Sequence, residues 1–199
     1  FPKDLSEFGC NIISTGNNHT NDGGQTGVSG TLDEWDVIKP LSVAGSNRTA
    51  AEQSKLRVFE HKGVKVGFTA FALDSNSGSA NNYSLNMLGN TALLKQQISE
   101  LRAQADLVIV SVHWGVEDSH TLSGSQKSYA KKIADLGADI IIGTGPHVWQ
   151  PYEEIVGASG KTTHVWYSIG NALNSQTKVD QLFSGVALLK ITKTEAGAI

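Results

Sequence analysis

The 199-residue chain has one cysteine, Cys10, so no internal disulfide can staple it and its order must come from a packed core. It has only four prolines, no low-complexity segment and no internal repeat, which excludes a collagenous or solenoid chain. Basic side chains number 16 against 19 acidic ones, for a net charge of -3, and they form no run or cluster able to follow a phosphate backbone. Nucleic acid is therefore not an expected partner. No apolar run approaches the roughly twenty residues a bilayer requires, and nothing resembles a signal peptide. What is present is a globular composition, 39% apolar and 18% charged, that buries a sizeable core. At roughly 150 residues per domain, a single domain over residues 1–199 is expected. The chain opens on Phe1, in a stretch that already reads as helical, and an absent upstream part is expected from this.

Apolar spacing maps the elements. A short amphipathic turn at 2–8 leads into a β-branched strand at 10–14 and a polar loop at 15–24. Val28, Leu32 and Trp35 recur at helical spacing, Pro40 stops that helix, and 41–44 reads as a second strand. Residues 56–59 and 64–73 flank His61-Lys62-Gly63 as a hairpin, with Val64, Val66, Phe68 and Ala70 alternating along one face. Residues 74–90 are rich in Asn, Ser and Gly and read as a long surface loop. A helix over 91–105 precedes the apolar strand 107–112; a capping box at Ser123-x-x-Gln126 opens the next helix, and 139–142 is another buried strand. Strand-like runs at 147–156, 163–168 and 184–192 close the chain, the first two joined as a hairpin through Ala158-Ser159-Gly160. Alternating strands and helices with this tail give an α/β sheet, partly parallel with antiparallel additions.

Three of the six histidines share one address on this map. His19 lies in the loop after the first strand, His113 follows the 107–112 strand, and His147 sits in the turn leaving the 139–142 strand. In open α/β sheets, residues just beyond the carboxyl ends of neighbouring strands converge on the ligand crevice, so these imidazoles are expected to meet. Asn18, His113 and His147 then make a mixed nitrogen and oxygen set suited to a catalytic divalent ion such as Mn, Fe or Zn. His19, beside a ligand, is placed as a general acid, and Asp22 could accept its other ring proton and fix the tautomer; a turn or N-cap role for Asp22 is equally open. His61, His120 and His164 read as surface or turn residues.

At these residues the chain resembles the CapA/PgsA family of bacterial capsule and poly-gamma-glutamate synthesis proteins, whose domain is related to the calcineurin-like metallophosphoesterases. The resemblance runs through Asn17-Asn18-His19-Thr20-Asn21-Asp22-Gly23, Val112-His113-Trp114-Gly115-Val116-Glu117, Gly137-Ala138-Asp139 to Gly143, Pro146-His147-Val148-x-Gln150-Pro151-x-Glu153, and Tyr167-Ser168-Ile169-Gly170-Asn171, in that order. It implies an α/β, metallophosphoesterase-like sandwich of mixed sheets flanked by helices. Asn18, His113 and His147 are then metal ligands, and His19 is the proton donor to a leaving alkoxide. Glu117 and Asn171 match the pattern as crevice-lining residues, and Trp114 and Trp149 adjoin candidate ligands where an aromatic could stack on substrate or simply pack in the core.

The chain departs from the family pattern at two points. Gly145 stands where many members have a histidine before Pro-His, and the upstream carboxylate ligands of a two-metal centre have no counterpart here, so an N-terminally incomplete sandwich with an incomplete metal site is expected. The implied function is in capsule or poly-gamma-glutamate synthesis at the cell envelope, outside the cytoplasm, with metal-dependent phosphoesterase-type hydrolysis. The alternatives are a non-catalytic accessory protein that binds the anionic polymer or scaffolds a membrane synthase complex, and a hydrolase of the polymer itself. An unpaired sheet edge left by absent strands would invite homo-oligomers.

Overall fold

The computed structural model describes residues 2–78, 81–172 and 174–194. In chain order the elements are α1 (Pro2–Glu7), β1 (Ile12–Ser14), α2 (Gly24–Ile38), β2 (Ser42–Ala44), α3 (Ala50–Gln53), β3 (Arg57–His61), β4 (Val64–Ala72), α4 (Thr91–Gln104), β5 (Leu107–His113), α5 (Gly124–Asp135), β6 (Ile140–Thr144), β7 (Trp149–Val156) and β8 (Thr162–Ile169), followed by a 3-10 turn at Val179–Gln181. Six strands form one mixed sheet in the order β3-β4-β5-β6-β8-β7, and β1 and β2 form a separate two-stranded ribbon. The inner four strands, β4, β5, β6 and β8, are parallel; β3 and β7 are antiparallel edges contributed by hairpins.

The near-continuous apolar sequence of β5 follows from its place at the centre, covered on both faces. On one face Phe71, Val108, Val110, Val112, Ile141, Val165 and Tyr167 pack against Leu94, Ile98 and Leu101 of α4 and Ala130 and Ile133 of α5. Helix α5 starts at the expected capping box, with Ser123 accepting from the Gln126 backbone and the Gln126 side chain from the Ser123 backbone. On the other face the ribbon lies over β4, where Ala44 meets Phe68 and Ala70. Arg57 ties β3 to it by donating from Nε to the Val43 carbonyl at 3.1 Å. Helix α2 buries Val28, Leu32 and Trp35, the three residues that announced it. This helix-flanked, mixed-sheet architecture fits the metallophosphoesterase-like sandwich that the resemblance implies.

Three readings of the sequence need correction. The alternation along β4 suggested one buried face, but every residue from Val66 to Ala72 is buried, because α4 covers the face carrying Gly67, Thr69 and Phe71. The stretch read as a surface loop is buried in its second half: Leu88 belongs to the core, Leu85 is 2% exposed, and one-residue bridges join Ser46 to Leu85 and Ala72 to Met87. The run 184–192 is not a strand; its one ladder contact is the bridge from Ser184 to Gly170, and Val186 and Leu188 are exposed. Apolar alternation makes a strand only where a neighbouring edge is there to pair with it.

Ile98→Ala should therefore destabilise the chain by about 2–5 kcal/mol, whereas Val186→Ala should stay within about 0.5 kcal/mol, as read from urea unfolding midpoints. A second outcome concerns Tyr167, whose hydroxyl donates to Glu153 Oε2 at 2.8 Å. Burial first, and that hydrogen bond second, raise its proton affinity above that of an ordinary phenol. The fold favours the neutral phenol, so this contribution to stability is whole below about pH 10 and is lost as the pH climbs further. The fall in unfolding midpoint between about pH 9 and about pH 11 should be smaller in Tyr167→Phe than in the unsubstituted chain.

Candidate functional site

The parallel strands all deliver their carboxyl ends to one rim. His113 is the last residue of β5 and Thr144 the last of β6, and the ladder sets them side by side, with Ala72, the last residue of β4, on the other side of His113. The loop after β1 brings Asn18 to the same place. A cavity of about 150 Å³ there is lined by Asn18, Asp74, Asn76, His113, Gly115, Glu117 and His147, among others. The proposed ligand residues from three distant segments thus face one space. His19 stands at its edge, near enough for its charge to act on His113.

Each of the three imidazoles has its Nδ1 engaged. His19 Nδ1 lies 2.6 Å from Asp22 Oδ2, and Ser77 donates to the other carboxylate oxygen at 2.5 Å. The Ser77 and His19 hydrogen bonds, in that order, hold the Asp22 carboxyl below the usual carboxylate range. A carboxylate only accepts, so His19 carries its proton on Nδ1. The helix that follows is capped at Gly23 with no side-chain bond, so Asp22 is not its N-cap; it lies in the turn before the helix, its backbone N–H donating to the His19 carbonyl at 3.1 Å while its side chain meets the His19 ring. His113 Nδ1 lies 3.2 Å from Thr144 Oγ1, and His147 Nδ1 2.8 Å from Asn171 Oδ1. Burial pushes the proton affinity of His113 down to about 4; Asp74 opposes that shift, and His147 and His19 add to it. The ring is neutral at ordinary pH and keeps a lone pair to offer.

Amides hold the loops around the cavity. Asn18 donates from Nδ2 to Asn76 Oδ1 at 3.2 Å, and the Asn76 backbone N–H donates to the Asn18 carbonyl at 2.9 Å. This ties the β1 loop to the segment after β4. With its nitrogen turned to Asn76, the Asn18 amide oxygen is turned elsewhere. Glu117 lines the cavity. Asn171 is absent from the lining and acts on the ring of His147 from behind. Trp114 is among the residues lining the cavity, whereas Trp149 is not. The Trp114 indole is 2% exposed, lies 5.7 Å from the Tyr167 ring and donates to the Tyr167 carbonyl, so it packs in the core. Trp149 sits on the edge strand β7 against Gly185, away from the cavity.

Sequence reasoning did not single out Asp74, Asn76, Ser77 and Thr144. Asp74 lies two residues beyond the end of β4, past Ala72, the ladder partner of His113. Reading residues 64–73 only as half of a hairpin hid that this strand is also a parallel neighbour of β5. Strand-end position was the signal that could have found it.

As a metal site, the cavity presents two imidazoles, amide oxygen and the carboxylates of Asp74 and Glu117, an N/O mixture suited to Mn, Fe or Zn. Among the described residues no three His, Cys, Asp or Glu side chains gather closely enough to hold an ion between them. The donor types suit such an ion, but the described residues do not furnish a two-ion centre with bridging carboxylates, and any single-ion site would have to draw on the Asn18 amide beside the two imidazoles.

The model of the family described as bacterial capsule synthesis protein PGA_cap matches residues 1–176. Two curated relatives are similar over most of the chain. The PGA biosynthesis protein CapA of Bacillus subtilis (strain 168) is 30% identical over 177 residues, covering 87% of this chain and 45% of the relative. The capsule biosynthesis protein CapA of Bacillus anthracis is 32% identical over 182 residues, covering 87% and 42%. The chain thus spans a little under half the length of these relatives. Among solved structures, a hypothetical protein from Thermus thermophilus aligns with a TM-score of 0.42 and 14% identity, over 85% of this chain and 68% of that one.

Gly145 bears directly on what this rim can accept. Its φ is +115, and a Cβ there would meet the Trp114 carbonyl oxygen at 2.2 Å. Gly145→Ala and Gly145→His should each cost at least about 1 kcal/mol in unfolding free energy, so a histidine placed there should loosen the rim before it could add a donor.

Proposed function

Because this chain belongs to the bacterial capsule synthesis protein family PGA_cap, we propose that it acts outside the cytoplasm, at the cell envelope, in making an anionic capsule polymer of the poly-gamma-glutamate kind. The activity proposed is metal-dependent hydrolysis of a phosphoester or polymer-linked substrate. One observation carries this reading: Asn18, His113 and His147, from three segments far apart in sequence, line a single cavity with the His19–Asp22 pair at its edge.

A divalent ion held by His113, His147 and the Asn18 oxygen would supply Lewis acidity toward a phosphoryl or carbonyl oxygen. The remaining work falls to the chain. Asp22 and Ser77 orient the His19 ring, so that in its doubly protonated form the Nε2–H is the one that would pass its proton to a departing oxygen. Burial keeps His113 a neutral donor. Asn76, 3.5 Å from His19 Nε2 and bonded to Asn18, holds the acid beside the ligand loop.

A second reading, an accessory protein that binds the polymer or scaffolds a membrane synthase, is favoured by a specific observation. Among the described residues the carboxylates of a full two-ion centre are not gathered, and Gly145 offers no side chain. Metal analysis together with hydrolysis of bis(p-nitrophenyl) phosphate separates the two. The hydrolase reading expects a bound divalent ion, its loss in His147→Ala, and turnover reduced about 10²–10⁴-fold in His19→Ala with the ion retained. A chain that binds no divalent ion and gives the same background as both variants would overturn it and leave the accessory role, read as metal-independent retention on immobilised polyglutamate.

A further inference from the structure

We propose that Asn171 is a positioning residue that locks His147 in the tautomer carrying its proton on Nδ1, so that the Nε2 lone pair is the one available to a ligand. The argument begins with the orientation of the Asn171 amide. Its Nδ2 lies 3.3 Å from the His147 carbonyl, 3.1 Å from the Gln181 carbonyl and 2.6 Å from Gln176 Oε1. The two backbone carbonyls have no proton to give. Turning the amide over would set Oδ1 against them, so the nitrogen must face that side and the oxygen must face His147. Oδ1 is 2.8 Å from His147 Nδ1 and can only accept. The proton therefore resides on Nδ1.

The same side chain holds His147 twice, through its ring and through its carbonyl. His147 needs that grip, because its φ of +62 lies in the left-handed region that non-glycine residues seldom adopt. Asn171 is in turn held from behind. Gln181, 4% exposed, presents its carbonyl to Asn171 and donates from Nε2 to Asp118 Oδ1 at 2.5 Å. Lys178 closes on the other oxygen of Asp118. The 176–181 segment is thus the anchor through which Asn171 orients a ring it does not share a cavity with.

Asn171 would orient a metal ligand only if His147 serves as one, as proposed above; the tautomer itself does not depend on that role, and the test separates the two. Long-range ¹H–¹⁵N correlation of the imidazole, at about pH 8.5 where an ordinary ring is neutral, reports which nitrogen carries the proton. The His147 signals are identified by their loss in His147→Ala. The unsubstituted chain should show a protonated Nδ1 and a bare Nε2. Asn171→Leu should shift the tautomer ratio about fivefold to tenfold toward Nε2–H, the factor expected for one lost hydrogen bond. Zn²⁺ titration by calorimetry should then show affinity about 10–100-fold weaker in Asn171→Leu than in the unsubstituted chain.

A His147 that already carries its proton on Nε2, or one whose tautomer is unmoved in Asn171→Leu, overturns the inference. If Asn171→Leu does not fold, the proton position on His147 in the unsubstituted chain still decides it. Absence of Zn²⁺ binding in every form counts against the metal-dependent reading alone and leaves the tautomer result standing.

Discussion

The hydrogen-bonded register of four parallel strands is the constraint on which the rest of the molecule depends. Pairing of β4, β5, β6 and β8 brings their carboxyl ends to a common rim, and both faces of β5 are covered. A slip of one residue would turn His113 toward the other face of the sheet and drive its buried neighbours, Val110 and Val112, out of the α4–α5 core. The core that specifies the register therefore also specifies the site. Close backbone approach adds a second restriction at the same place. A Cβ on Gly143 would meet the Tyr167 carbonyl oxygen at 2.1 Å and the Trp114 indole nitrogen at 2.6 Å, so the Trp114–Tyr167 bond beneath the rim requires a glycine above it.

Local pattern made the strands and helices readable, because each carries its own periodicity. Val28, Leu32 and Trp35, the apolar run of β5 and the Ser123–Gln126 box each lie in the element they signalled. What local pattern could not convey was which edges would find partners. The 184–192 run has a strand's composition but only one bridging residue, and residues 84–88 have a loop's composition but fill a gap beside β4. The site followed the same division. Asn18, His19, His113 and His147 stood out because imidazoles and amides at strand ends are conspicuous, whereas Asp74 and Thr144 became visible only once β4 and β6 were known as neighbours of β5. For Trp114 and Trp149, sequence adjacency to a ligand was no guide to where the rings would go.

The surroundings of the cavity are built mostly from neutral amides. Asn18 and Asn76 join two loops, Asn21 donates to the Gly78 carbonyl, and Asn171 holds His147. Amides supply direction in their hydrogen bonds without adding charge, so the cavity acquires a defined shape while His113 stays in a poorly solvated setting that favours its neutral form. The few carboxylates at the rim have separate tasks: Asp22 orients His19, Asp118 anchors the segment behind Asn171, and Asp74 and Glu117 face the cavity.

The chain of bonds from Asp118 through Gln181 to Asn171 and His147 has a thermodynamic consequence. Its members come from the turn after β5, the turn after β6, the end of β8 and the 3-10 turn, so releasing any one leaves the polar groups of the others unpaired. Sharing of bonds among the four pieces therefore couples their opening, so that loosening one lowers the cost of loosening the next.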